Sequence, residues 1–70
     1  MKTLYDYFTA VYATELDNYR YETTKKYLIK ELKANHYVSD LKLSTLIDIC
    51  GVLGEGLDKT VDILYNLKNN

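Results

Sequence analysis

Few residues in this sequence have types and spacings that suggest chemistry. One cysteine, Cys50, and one histidine, His36, are present. Zinc needs several such ligands at close spacing, so this pair cannot close a site. Cys50 falls on the apolar stripe of a helical segment and reads as a small core residue. His36, Ser39 and Asp40 stand close together, but a nucleophilic triad also needs an oxyanion hole and a carboxylate that orients the histidine. They read instead as a helix-terminal histidine beside an ordinary turn. Gly51, Gly54 and Gly56 follow no strand, so they do not form a phosphate-cradling loop. Asp58 and Asp62, four apart, form a solvated acidic face rather than a cation site. The sequence therefore predicts a non-enzyme with no cofactor, one that works by binding another macromolecule.

What remains is charge and aromatic residues. The formal net charge of −1 conceals an uneven layout. Arg20 to Lys42 holds six bases and three acids, and the rest of the chain three bases and seven acids. A basic middle between acidic ends can face an anion that the ends would repel. Within it, Lys26, Lys30 and Lys33 share the outward side of one helix, with Tyr37 a turn beyond. Thr23, Thr24 and Lys25 sit at that helix's start, where a recognition helix meets base edges and phosphates. These six residues, Thr23, Thr24, Lys25, Lys26, Lys30 and Lys33, are the candidate DNA contacts.

Eight tyrosines, with no tryptophan or proline, favour half-buried positions and interfaces, since tyrosine joins a large apolar ring to a polar tip. Tyrosine and arginine anchor many protein interfaces, so Tyr19, Arg20 and Tyr21 are the first protein-binding candidates. Asp58 and Asp62 would complement a basic partner surface. Ile63 and Leu67, beside the inward stripe of the last helix, are the candidate apolar dimer or partner surface.

The elements that must position these residues are helices. Without proline, boundaries come from caps, glycine and periodicity. A first helix is predicted from Thr3 to about Ala13, with Leu4, Tyr7, Phe8 and Val11 on its inner face and Asp6 placed for a capping box with Thr3. Thr14 would cap a short second helix through Leu16 and Tyr19. Thr23 or Thr24 opens a helix to about Asn35, with Leu28 and Leu32 inward. Asn35 to Leu43 reads as a connection. Ser44 caps a helix with a buried stripe of Leu46, Ile49, Cys50 and Leu53, ended by Gly54. The last helix starts near Leu57, with Leu57, Val61 and Leu64 inward. The expected fold is all-α: a compact bundle of four to five short helices with no sheet, one domain spanning residues 1–70.

A chain of 70 residues buries only about 60% of its unfolded surface, so it needs close helix packing or a partner. A lone cysteine permits no internal disulfide and fits a reducing compartment. The opening Met1 to Asp6 carries an acid and no apolar run of signal-peptide length. No stretch reaches the roughly 20 apolar residues of a membrane span. A cytoplasmic protein without membrane association is expected.

The segment Leu43-Ser44-Thr45-Leu46-Ile47-Asp48-Ile49-Cys50-Gly51-Val52-Leu53-Gly54-Glu55-Gly56-Leu57-Asp58 resembles the closing helices of Cro/CI-type (XRE family) helix-turn-helix domains. In that family a leucine-rich helix ends in Leu-Gly, and Leu-Asp opens the last helix. The likeness covers about 25 residues. In the middle of the chain the pattern departs from the family's, since Asn18 to Thr24 lacks the usual turn glycine and Thr24 to Ser44 is several residues long for it. The resemblance implies a Cro/CI-like helix-turn-helix fold and a regulator from a phage or other mobile element. It implies three roles: an antirepressor or modulator that binds a partner repressor, a Cro-like repressor reading duplex DNA with the Thr23–Lys33 helix, or a protein-binding inhibitor such as an anti-CRISPR. A homodimer is a further expected state.

Overall fold

The computed structural model describes residues 2–69. Within them lie four α-helices and one 3₁₀ turn, with no strand: α1 (Leu4–Asp17), α2 (Glu22–Ala34), the 3₁₀ turn (Val38–Asp40), α3 (Leu43–Leu53) and α4 (Leu57–Asn69). The all-α bundle expected from the sequence is what forms.

Helix α1 begins where Thr3 and Asp6 form a capping box. The Thr3 N–H donates to the Asp6 carboxylate at 2.8 Å, satisfying a donor that the helix start leaves free. The buried line then runs Leu4, Phe8, Leu16, with the ring of Tyr12 packed on the same cluster. These residues recur every four positions. The Phe8 and Tyr12 rings lie 5.4 Å apart, tilted by 36°.

Two expectations for this region are corrected. The chain does not stop at Ala13 and restart with a Thr14 cap: one helix continues to Asp17, with a kink at Tyr12 (φ −115°, ψ 25°). Val11 is not inward but 59% exposed, because the buried line follows the i, i+4 row and Val11 falls behind it.

Helix α2 starts at Glu22, slightly before the predicted Thr23 or Thr24, and an acid in its first turn suits the helix dipole. Leu28 and Leu32 are its fully buried residues, as predicted. Its far end meets the start of α1, where the Leu4 N–H donates to the Asn35 carbonyl at 3.0 Å. Residues 18–21 join the other ends, so the two helices run antiparallel as a hairpin. The connection after α2 is tied down too. Its 3₁₀ turn packs on α4, burying Val38, and Leu41 just beyond is buried as well.

Helix α3 starts at Leu43 rather than after a Ser44 cap. Lys42 is extended, and its carbonyl accepts the first helical bond from the Leu46 N–H at 3.1 Å. Gly54 ends it in the left-handed conformation (φ 68°), where a side chain would be strained. The buried stripe of α3 is Thr45, Ile49 and Val52. Only Ile49 belonged to the predicted stripe. Leu46, Cys50 and Leu53 are half-buried, and Ile47 is exposed.

Helix α4 begins at Leu57, as expected, and buries Thr60 and Leu64. Leu57 itself, in the first turn, is exposed and Val61 half-buried, against the predicted inward stripe. Its far end is fastened by Lys68, whose ammonium donates to the His36 carbonyl at 2.7 Å and stands 4.3 Å from the centre of the Tyr37 ring. The His36 ring Nδ1 meets the Lys2 carbonyl at 3.0 Å, so both ends of the described chain converge on this connection. No helix among the described residues is long and apolar enough to cross a membrane.

Candidate functional site

The corner between α1 and α2 brings three of the sequence candidates together, Tyr19, Arg20 and Tyr21. A pocket of about 540 Å³ opens there, lined by Glu15, Asn18, Tyr19, Arg20, Tyr21, Gly51 and Val52. Three consecutive residues of the connection, Tyr19, Arg20 and Tyr21, form much of its wall. The Tyr19 and Tyr21 rings meet edge to face, 5.5 Å apart at 72°, an arrangement that aromatic quadrupoles favour. The Arg20 guanidinium lies over the Tyr21 ring at 4.9 Å, a cation–π contact that favours this position.

The other wall belongs to α3. Tyr19 reaches across so that its hydroxyl is 2.8 Å from where a β-carbon on Gly51 would be. Any side chain at position 51 would occupy that space. The tyrosine therefore seats only because the facing helix carries glycine there. Val52, buried beside it, gives the pocket an apolar floor.

The corner itself is braced by Lys25. Its ammonium donates to the Asp17 carbonyl at the end of α1 at 2.9 Å and pairs with Glu22 at 2.9 Å. A cation at a helix C-terminus satisfies orphan carbonyls and complements the dipole. Lys25 was expected among the DNA contacts. The structure turns it back onto α1 instead, with its side chain only 16% exposed. This is the one ion pair among the described residues, so Arg20 has no carboxylate partner there.

The other DNA candidates stay on the surface. Thr23, Lys26, Lys30 and Lys33 are exposed on the outer side of α2, and Thr24 is half-buried. Lys33 is drawn over the Tyr5 ring at 4.7 Å. Asp58 and Asp62 are exposed on α4 and do not line the α1–α2 corner pocket.

Ile63 and Leu67 do not form an exposed apolar surface. Both are half-buried, and Leu67 packs on the core. Exposed apolar bulk lies instead at Leu43 and Ile47 on α3 and at Leu57 on α4. Among the described residues no group of three or more His, Cys, Asp or Glu side chains is placed to hold a metal ion.

The sequence reading did not pick out Glu15, Asn18, Gly51 and Val52 as site residues. Gly51 carried the only available signal, a glycine inside an otherwise strongly apolar helix, which marks a close approach. No family model matches the chain, and no curated protein or solved structure matches it either.

Proposed function

We propose that this protein is a small regulator that acts by binding another regulatory protein, repressor-like in kind, through the Tyr19–Arg20–Tyr21 corner. The observation that carries this reading is the pocket itself. Two aromatic rings and a guanidinium with no ion pair among the described residues surround a concavity with an apolar floor. Tyrosine and arginine in a pocket are the composition of interface hot spots. Pre-arranging these groups also lowers the entropy lost when a partner docks. Alanine at Tyr19, Arg20 and Tyr21 together should abolish partner capture in a pull-down while leaving helical content intact. Capture that survives all three changes would place the interface elsewhere.

A second reading, a Cro-like DNA-binding repressor, has one observation in its favour: Lys26, Lys30 and Lys33 share an exposed face. It ranks below the first for two reasons. A domain of net charge −1 repels duplex DNA at long range. The hairpin also fastens α2 to α1 at both ends, whereas helix-turn-helix pairs cross at about 90–120°. Mixed-sequence duplex DNA at low salt tests this reading directly.

A further inference from the structure

We infer that the corner pocket recognises a carboxylate side chain of the partner, set beside an aromatic or branched apolar residue. This deepens the protein-binding reading above and rests on it. Among the described residues, Arg20 is the one cationic side chain that lines the pocket. Its guanidinium lies over the Tyr21 ring, 4.9 Å from the centroid, and the residue is exposed, so its donors are open to a ligand. It makes no ion pair among the described residues, although Glu15 lines the same pocket. An arginine placed by a cation–π contact rather than by an internal carboxylate presents its fork in the planar geometry that a visiting carboxylate accepts in a bidentate way.

Glu15 then narrows the ligand. A dianionic phosphate in the pocket would bring its second charge against the Glu15 carboxylate, and like charges at short range disfavour that. A single carboxylate can pair with Arg20 with less opposition. Val52 and the two tyrosine rings supply the remaining surface, which suits an apolar or aromatic neighbour of the acid. The pocket volume of about 540 Å³ lies within the range of built ligand sites, roughly 300–1,000 Å³.

The test is selection from a displayed library of random peptides against the folded protein, followed by titration of the enriched peptides. Enrichment of Asp or Glu next to an aromatic or branched apolar residue is expected. Arg20→Gln should weaken those peptides roughly tenfold to a hundredfold, the scale of a charged hydrogen-bonded pair. Arg20→Lys should rescue little, because lysine keeps the charge but loses the planar fork. Phosphoserine in place of the acid should bind more weakly, and tighter binding would overturn the carboxylate assignment. Peptides that need Tyr19, by a Tyr19→Ala or Gly51→Ala loss, but are indifferent to Arg20→Gln would overturn the inference and leave the protein-binding reading standing. Failure to enrich any peptide that depends on Tyr19 or Gly51 would overturn both. Circular dichroism of each variant separates loss of binding from loss of fold.

Discussion

The hydroxyl of Tyr19 lies 2.8 Å from the point where a β-carbon on Gly51 would sit. One glycine in the last turn of α3 thereby decides where the corner tyrosine rests. This contact links the packing of two helices to the shape of the pocket. Only the far end of the tyrosine side chain stands in the way, so alanine at position 51 is accommodated by moving that ring rather than the backbone.

Gly51→Ala should therefore separate stability from binding. Replacing glycine by alanine inside a helix is worth about 0.5–1 kcal/mol, which in a domain of this size raises Tm by about 2–8 °C. The displaced Tyr19 ring should reduce affinity for whatever the pocket holds. Calorimetry together with a binding titration checks both halves. A stabilised variant that binds as well as the parent would show that the Tyr19 position does not matter to the site.

Thr60 carries the second prediction. Its side chain is fully buried, and its hydroxyl has no hydrogen-bond partner among the described residues. An unsatisfied buried polar group costs about 1–3 kcal/mol. Thr60→Val, of the same shape, should raise stability by about 1 kcal/mol, read as a higher urea midpoint with unchanged slope. Thr45 is equally buried, but its hydroxyl lies 3.5 Å from that of Tyr27, so Thr45→Val should gain less. A lower midpoint for Thr60→Val would mean that its hydroxyl is satisfied in solution.

These two threonines also show where the sequence stopped being legible. Helix α2 reads cleanly because lysines and leucines alternate at helical spacing, and its inward pair, Leu28 and Leu32, is the observed one. Helix α3 is apolar or small nearly all round, so periodicity carries little information about which side faces in. Its true buried stripe contains Thr45 and Val52 rather than Leu46, Cys50 and Leu53. Threonine passes as a core residue because its methyl packs and its hydroxyl is small. Likewise Val11 looked inward on an ideal helix, but the every-fourth-residue line through Phe8 and Tyr12 leaves it outside. Tyr19, Arg20 and Tyr21 were legible as a cluster from residue type alone. Their pocket was not, since it depends on α3 bringing Gly51 and Val52 to the same corner.

The start of α1 gives a pH prediction. The Thr3 backbone N–H, chiefly, lowers the Asp6 pKa below its ordinary value of 3.8. A carboxyl whose folded pKa is depressed adds stability that is fully present above the unfolded pKa and is lost as pH falls through the folded one. Asp6→Ala should thus be less stable than the parent at neutral pH, and the gap should close as pH drops below about 3.8. Parallel thermal melts across that range check it. A gap independent of pH would mean that the charge on Asp6 contributes nothing.

The lysine face of α2 is tested by salt. If the protein works through its corner pocket, mixed-sequence duplex DNA at low salt should show no measurable binding, and Lys26→Ala with Lys30→Ala should change nothing. Binding whose logarithmic salt slope falls by about two in the double variant would instead make α2 a DNA-facing element.

The central claim, that the Tyr19–Arg20–Tyr21 corner is a protein interface, is tested most directly by site-specific photocrosslinking in the cell. A photoreactive phenylalanine analogue would be placed at Tyr21, and in a separate variant at Lys30 on the outer face of α2. A single protein adduct of defined mass from position 21, absent from position 30 and lost when Arg20→Gln is added, is the predicted result. An adduct from position 30 alone, to protein or to DNA, would contradict it and move the binding surface to the lysine face.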